Sequence, residues 1–272
     1  MTNRMHRRGL LAGFAVAVLL ASLLGPTASA QAADGPKQEF YELRTYRVAN
    51  AEKQAIVSDY LKNALVPALN RMGVKRVGVF TVMANEQAEE QDLSIHVLIA
   101  YPTLEMFAAV NPTLAACEEY QQAAAPLHAL TKKDPGYTRI ESRLMKAFAG
   151  MPVMELPQET LKMTDRMFEL RIYESHDDLK ARLKVAMFND GEIDIMRDTE
   201  LDPVFYGETL IGQDVPNLIY MLSASDMESH QAHWRAFIGH PEWDRIKNLP
   251  KYKDTVSKIT KVYLVPTDYS QI

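Results

Sequence analysis

The chain has 272 residues, 47% of them hydrophobic, and a formal net charge of −5. This length is enough for one large domain or for two of about 100–150 residues. The first 30 residues contain three arginines and no acidic residue, so the rest carries 27 Lys and Arg against 35 Asp and Glu, a net charge of −8. So acidic a protein lacks the basic surface that nucleic-acid binding requires, and we expect neither nucleic acid nor an anionic membrane surface as a partner.

The N-terminus has the three parts of an export signal. A basic segment (1–8) precedes an apolar run (10–24), and Ala28-Ser29-Ala30 places small residues at the first and third positions of a cleavage site. The apolar run is shorter than the roughly 20 residues that span a bilayer. We therefore expect a signal peptide over residues 1–30 and a periplasmic or secreted mature protein without a membrane anchor. An arginine pair at positions 7 and 8 leaves Sec and twin-arginine export both open.

The remaining sequence contains an internal repeat. The hexapeptides at 41–46 (Tyr-Glu-Leu-Arg-Thr-Tyr) and 168–173 (Phe-Glu-Leu-Arg-Ile-Tyr) share four identical residues at an offset of 127. Later segments keep the register at offsets that fall to 123: 79–80 with 204–205, 95–99 with 218–222, and 119–120 with 242–243. Such stepwise shrinkage between elements is what loop shortening produces in a duplicated domain. We predict two copies of one domain, at 38–149 and 165–272, joined by a Pro-containing linker at 150–164.

Each copy has the same order of predicted elements. In the first copy these are a strand at 41–46, an amphipathic helix kinked at Pro67 and ended by Gly73, strands at 77–83 and 94–101, helices at 103–110 and 113–124, and a strand at 139–145. In the second copy they are a strand at 168–173, a helix begun by Ser175, strands at 204–210 and 218–222, helices at 225–237 and 241–247, and a strand at 258–265. This β-α-β-β-α-β order predicts an α+β fold of two tandem ferredoxin-like units.

The repeat also resembles a known family. The hexapeptide at 41–46, the helical segment 65–69, Gly78-Val79-Phe80 and His240-Pro241-Glu242-Trp243 are similar to the NIPSNAP family, from about Phe40 to the C-terminus. The resemblance implies a dimeric α/β-barrel fold, in which two ferredoxin-like units pair their antiparallel sheets. Here both units lie in one chain, so an intrachain pseudo-dimeric barrel is implied. The family supplies no agreed catalytic residues.

Alternation along the first strand of each copy suggests a ligand site. Residues two apart share a face of a strand, so one polar stripe forms in each copy: Glu42, Arg44 and Tyr46, with Glu169, Arg171 and Tyr173. We expect this stripe to point into the barrel lumen and the apolar face to pack under the helices. A lumen arginine can bind a carboxylate or phosphate. Alternatively, the Glu and Arg side chains neutralise one another and only fix the structure.

Histidines and tryptophans give weaker signals. His96 lies on the less apolar face of its strand and is a candidate lumen residue of one copy only, since Ile219 takes its place in the other. His230 and His233 share a helix side without a third metal ligand, so we expect a solvated or capping role and predict no metal site. Trp234 and Trp243 occur only in the second copy, and we expect both to pack in its core.

Three functional interpretations are compatible with the sequence. The first is a module that binds a small molecule or a protein, without a cofactor. The alternative is a barrel enzyme of the cofactor-free or haem-dependent, monooxygenase-like kind, acting on a small aromatic or carbonyl compound. A homo-oligomer formed through exposed sheet edges is a third option. An enzyme predicts an open lumen that contains a polar group with a perturbed pKa, whereas a binding or structural module predicts a filled barrel with paired charges.

Overall fold

The computed structural model describes residues 37–84 and 90–272. The predicted signal peptide at 1–30 lies outside these residues. No helix within the described ranges is long and apolar enough to cross a membrane.

Eight strands form a closed antiparallel barrel. The strands are β1 Phe40–Arg47, β2 Val77–Val82, β3 Ile95–Tyr101, β4 Arg139–Ala147, β5 Met167–Glu174, β6 Pro203–Ile211, β7 Asn217–Ala224 and β8 Lys258–Pro266. Their order around the barrel is β1-β3-β2-β8-β5-β7-β6-β4. Each repeat contributes four strands in one block, and the blocks join where β2 pairs with β8 and β4 pairs with β6. The predicted intrachain pseudo-dimeric barrel is confirmed.

Helices cover the outside of each half-barrel. They are α1 Ala51–Tyr60, α2 Val66–Arg71, α3 Leu104–Ala116, α4 Glu118–His128, α5 Gln158–Lys162, α6 Asp178–Met187, α7 Ile193–Asp198, α8 Met227–Ile238 and α9 Pro241–Lys247. Between α1 and α2, and again between α6 and α7, the chain forms one wide turn with i→i+5 hydrogen bonding, at Leu61–Leu65 and Phe188–Glu192. The first of these turns directly precedes Pro67, whose ring cannot fit a regular helix interior. Gly73, at φ +92°, follows this helix in the left-handed conformation expected of it.

The second long helix begins at a different residue from the one predicted. Its N-cap is Asp177, whose carboxylate accepts a hydrogen bond from the backbone nitrogen of Lys180. Ser175 is instead buried, and its hydroxyl donates to the backbone carbonyl of Thr255. Aspartate is as good an N-cap as serine, so the local sequence left both starts open.

Apolar side chains from both repeats pack against one another inside the barrel. One buried cluster draws its members from the lumen faces of both repeats, including Tyr41, Leu43, Phe80, Phe168, Leu170 and Phe205. Aromatic contacts join the halves, such as Phe80 with Phe168, whose ring centroids are 4.9 Å apart. The segment between the repeats and the C-terminal residue enter the same cluster through Met154 and Ile272.

The predicted orientation of the first strands is therefore wrong. The apolar stripe of β1 and β5 lines the lumen, while Glu42, Arg44, Tyr46, Glu169, Arg171 and Tyr173 lie on the outer face beneath the helices. The physical reason is that both faces of each strand are buried: one meets the opposite half of the barrel, the other meets helices. Polarity alone cannot decide which face is inside when neither face meets bulk water.

Candidate functional site

One cavity lies outside the barrel, on the second repeat. It has a volume of about 580 Å³ and lies between the outer faces of β5 and β8 and the helices α8 and α9. This volume is within the usual range for sites that hold small organic molecules. Its apolar walls include Trp234, Phe237, Trp243 and Tyr263, and its polar groups include Glu169 and Arg171. We call this cavity the outer pocket.

Strand alternation and helix periodicity bring the polar groups of the outer pocket together. Glu169, Arg171 and Tyr173 are two residues apart on β5 and therefore share its outer face. On α8, His230 and Trp234 are four residues apart and therefore share the side that faces the strand.

Glu169 is the centre of a buried hydrogen-bonded cluster. Its side chain is 1% exposed, and its Oε2 atom lies 2.9 Å from both the Nε2 atom of His230 and the Nε1 atom of Trp234. The Nη1 atom of Arg171 donates to Oε1 of the same carboxylate at 3.2 Å. Burial acts to raise the pKa of Glu169, but the hydrogen bond from His230 and the charge of Arg171 outweigh it and hold the pKa below its usual value. The carboxylate is therefore ionised and already supplied with donors.

Arg171 is held among aromatic rings. Its guanidinium carbon lies 4.3 Å from the ring centroid of Trp234 and 5.4 Å from that of Tyr173, which is a stabilising cation–π arrangement. Burial acts to lower the pKa of Arg171, but nearby Tyr220, Tyr173 and Glu169 raise it overall, so the group stays charged. Its Nε atom is buried and has no hydrogen-bond partner among the described residues.

A second buried charge pair borders the same pocket. The Nζ atom of Lys184 donates to Oε2 of Glu192 at 2.7 Å, and both side chains are at most 5% exposed. Lys184 also lies 4.6 Å from the ring centroid of Phe188. Burial raises the pKa of Glu192 despite the neighbouring lysine.

In the first repeat, the arginine and the glutamate of the corresponding stripe are fully paired with each other. The Nε and Nη2 atoms of Arg44 donate to the two carboxylate oxygens of Glu42, at 2.6 and 2.9 Å. Tyr101 and Ser142 donate their hydroxyls to the same carboxylate. Such a two-pronged pair satisfies the arginine and its partner together. The first stripe therefore matches the structural alternative considered from the sequence, whereas the second has an arginine nitrogen left over.

His96 lies on the face of β3 that lines the lumen, beside Leu43 and Leu170. Strand pairing places it opposite Thr45, and the Nδ1 atom of His96 lies 3.2 Å from the Oγ1 atom of Thr45. Ile172 and Ile219 form the equivalent pair in the second repeat. Burial lowers the pKa of His96 to about 4, so its imidazole is neutral near pH 7.

Several residues of the outer pocket were assigned otherwise from the sequence. His230 was expected to have a solvated or capping role, but it is 1% exposed and hydrogen-bonded to Glu169. Trp234 does pack against Phe237, and it also holds the pocket carboxylate. Lys184 was not singled out. A signal existed for the pair on α8, because His230 and Trp234 are four apart and the first repeat has Phe107 and Asn111 at those positions. What the sequence lacked was the identity of the strand face that α8 covers.

The chain has the architecture of the dimeric α/β-barrel proteins, with the two subunits of such a barrel fused into one chain. Residues 168–271 match the model of the NIPSNAP family, so the second repeat is similar to this family and the predicted family resemblance is confirmed over that range.

Two solved structures with TM-scores above 0.5 have the same fold. A "putative monooxygenase" from Lactobacillus acidophilus covers 85% of this chain and 94% of its own, with a TM-score of 0.54 and 9% identity. Another "putative monooxygenase", from Fusobacterium nucleatum, covers 85% and 93%, with a TM-score of 0.51 and 10% identity. A NIPSNAP-like domain protein from Burkholderia xenovorans is 21% identical over 39% of this chain and 88% of its own, with a TM-score of 0.36. The comparison with curated protein sequences gave no match.

Proposed function

We propose that the protein binds a small molecule in the outer pocket, and that this ligand is an organic anion with an aromatic or aliphatic body. The observation that carries the proposal is the difference between the two repeats at one atom. The Nε atom of Arg44 is bonded to Glu42 at 2.6 Å, whereas the Nε atom of Arg171 is buried and unpartnered beside a cavity of about 580 Å³. A buried donor without an acceptor is costly, and an anionic ligand would supply that acceptor.

The charges around the pocket favour an anion over a cation. The carboxylate of Glu169 already accepts hydrogen bonds from Arg171, His230 and Trp234, and that of Glu192 is paired with Lys184. These acids are therefore occupied by groups of the protein. The aromatic walls suit a flat or long apolar body, as in most sites for small ligands.

The two tryptophans provide a direct assay. The chain contains only Trp234 and Trp243, and both line the outer pocket. We would titrate the mature protein with 8-anilinonaphthalene-1-sulfonate, an aromatic anion, and with dodecanoate, an aliphatic one, and follow the quenching of tryptophan emission. Saturable quenching by at least one probe is expected. Failure of both probes to bind the folded protein would refute the proposal.

The repeat supplies a matched control. Arg171→Met removes the unpartnered donor, and about a tenfold loss of probe affinity is expected, which corresponds to one charge-assisted hydrogen bond. Arg44→Met removes the equivalent arginine of the first repeat and is expected to leave probe affinity unchanged. Equal losses in both variants would show that the effect is on the fold and not on the pocket.

We also propose that the mature protein is exported and begins at Gln31. The support is the sequence alone: a basic start, a short apolar run and the triplet Ala28-Ser29-Ala30. Cell fractionation and N-terminal sequencing of the native protein test this. Replacing the pair Arg7 and Arg8 by two lysines would abolish export by a twin-arginine route and leave a Sec route working.

Catalysis is a second candidate, favoured by one feature of the pocket. His230 is held by the buried carboxylate of Glu169 at 2.9 Å, an arrangement that orients an imidazole for proton transfer. The two neighbours described as putative monooxygenases share the barrel fold. Oxygen uptake measured with hydroquinone as an oxidisable probe, in the unchanged protein and in His230→Gln, tests this function. Uptake that disappears in the variant would support catalysis.

Neither His230, in the outer pocket, nor His96, beside a smaller second cavity, combines a free Nε2 atom with a cavity of the outer pocket's size. The Nε2 atom of His230 is bonded to Glu169, and His96 borders a cavity of only about 270 Å³ that is rimmed by ion pairs. We therefore propose that the protein works without haem. A visible spectrum after haem addition checks this, since a stable Soret band shifted from that of free haem would contradict it.

A further inference from the structure

A second cavity lies at one end of the barrel lumen, in a place separate from the outer pocket. It has a volume of about 270 Å³, and its apolar surface comes from both repeats through Leu43, Leu170, Ile172 and Val262. The other end of the lumen is closed, since Met154 and Ile272 enter the apolar cluster there. We call this open end the barrel mouth.

Two buried nitrogen atoms at the barrel mouth have no hydrogen-bond partner among the described residues: Nε2 of His96 and Nε of Arg143. Both residues line the cavity. They are at most 8% exposed. Buried polar groups are almost always paired with protein, with water or with a ligand. When the hydroxyl of Thr45 donates to Nδ1 of His96, the Nε2 atom carries the proton, so both unpartnered atoms are then donors.

At the barrel mouth, one cation is buried, and the other cations lie nearer the surface. The side chain of Arg143 is 10% exposed, and that of its ion-pair partner Asp214, 3.4 Å away, is 51% exposed. Arg47 binds Glu141, and Lys258 binds Glu174; the side chains of these two cations are 43% and 62% exposed at the rim. The acids are therefore either at the rim or bound by rim cations. The least exposed of these charged side chains is Arg143, whose ion-pair partner Asp214 lies at the exposed rim and whose Nε atom has no partner among the described residues.

We propose that the barrel mouth binds a short aliphatic carboxylate, whose oxygens accept hydrogen bonds from Nε of Arg143 and Nε2 of His96 while its chain lies on the apolar floor. A monocarboxylate of about four to six carbons suits the cavity, which is slightly smaller than the usual range for drug-sized ligands. This site is independent of the outer pocket, and its two donor residues, His96 and Arg143, belong to the first repeat and have apolar equivalents in the second.

The second repeat indicates which substitutions the fold will accept. Strand pairing makes Ile219 the equivalent of His96, because each faces its β1-type strand at the matching position. By the same comparison Val262 is the equivalent of Arg143, since these residues pair with Leu170 and Leu43. His96→Ile and Arg143→Val therefore give the first repeat the side chains that the second repeat already packs in the same lumen.

Isothermal titration calorimetry of the mature protein with butanoate tests the proposal. Saturable binding is expected, with at least a tenfold weaker affinity in His96→Ile and in Arg143→Val, while butan-1-ol and butylamine do not bind. Where circular dichroism shows that a variant is unfolded, His96→Gln or Arg143→Lys replaces it under the same criterion. No saturable binding of butanoate to the folded protein, or unchanged affinity in both variants, would overturn the proposal.

One control separates this site from the outer pocket. Butanoate is much too short to fill the outer pocket of about 580 Å³, so Arg171→Met is expected to leave its affinity unchanged, and butanoate is expected not to quench Trp234 or Trp243. If Arg171→Met abolishes butanoate binding while the barrel-mouth variants do not, the carboxylate binds in the outer pocket and the proposal is wrong.

Discussion

The carboxylate of Glu169 accepts a hydrogen bond from the indole nitrogen of Trp234 at 2.9 Å, across 65 residues of sequence. This bond connects the outer face of β5 to α8 and fixes one wall of the outer pocket. In the first repeat, Glu42 makes its corresponding contacts with Tyr101 and Ser142, which lie on neighbouring strands and not on a helix. The equivalent glutamates of the two repeats therefore have different partners: Glu42 links neighbouring strands, and Glu169 links a strand to a helix.

Removing the indole donor should weaken the second repeat. Trp234→Phe leaves the buried carboxylate of Glu169 with one donor fewer, and a loss of about 1–3 kcal/mol in the free energy of unfolding is expected. Urea denaturation measures it. Trp243→Phe, which does not affect the hydrogen bonds of Glu169, is the control and should cost less. If the control costs as much as Trp234→Phe, the bond to Glu169 is not the stabilising contact.

Protonation of Glu169 should lower the free energy of unfolding at acidic pH. Its pKa in the folded protein lies below its usual value of about 4.5, so its contribution is fully present above that value and is lost as the pH falls through the folded pKa. Glu169→Gln should therefore flatten the decline of unfolding free energy below pH 4.5. The exposed Glu118→Gln on α4 should leave the decline unchanged, and a decline that is equally steep in Glu169→Gln would argue against an ionised Glu169.

His96 should affect the free energy of unfolding in a higher pH range than Glu169 does. Its pKa is lowered by burial from 6.5 to about 4, so between these values the unfolded chain binds the proton and the folded protein does not. Stability should thus fall as the pH drops from 6.5 to 4, by about 3 kcal/mol in total. His96→Ile should remove this part of the decline, and His176→Gln, at an exposed histidine, should not. A folded-state pKa near 6.5 from NMR titration would contradict the burial of His96.

The lumen should behave as a hydrophobic core. Phe80 and Phe168 are fully buried and in edge-to-face contact, so Phe80→Ala should cost about 3–5 kcal/mol. Leu161→Ala on the exposed side of α5 should change stability by less than about 0.5 kcal/mol. Thermal or urea unfolding compares the two. A small effect of Phe80→Ala would mean that the lumen is loosely packed or open.

Much of the fold follows from the repeat. The shared hexapeptides and the falling offset locate the strands of both copies, and the structure joins them into one barrel. Less of the candidate site could be predicted from the sequence. The stripe of Glu169, Arg171 and Tyr173 was recognised, but its helix partners His230 and Trp234 were not connected to it, because contacts between distant segments depend on which face of the strand the helix covers.

The sequence by itself determined the duplicated architecture, since apolar periodicity and repeated segments are properties of the chain that survive in any correct packing. It also determined the alternation of β1 and β5, and hence which side chains share a face. Only the tertiary structure decided that the polar faces lie under the helices. A strand buried on both sides gives no polarity signal for its inner face, and the apolar side chains of two half-barrels pack best against one another. The same packing decided that the Nε atom of Arg44 donates to Glu42, whereas the Nε atom of Arg171, in the same Glu-Leu-Arg sequence, has no partner among the described residues and lies beside a cavity.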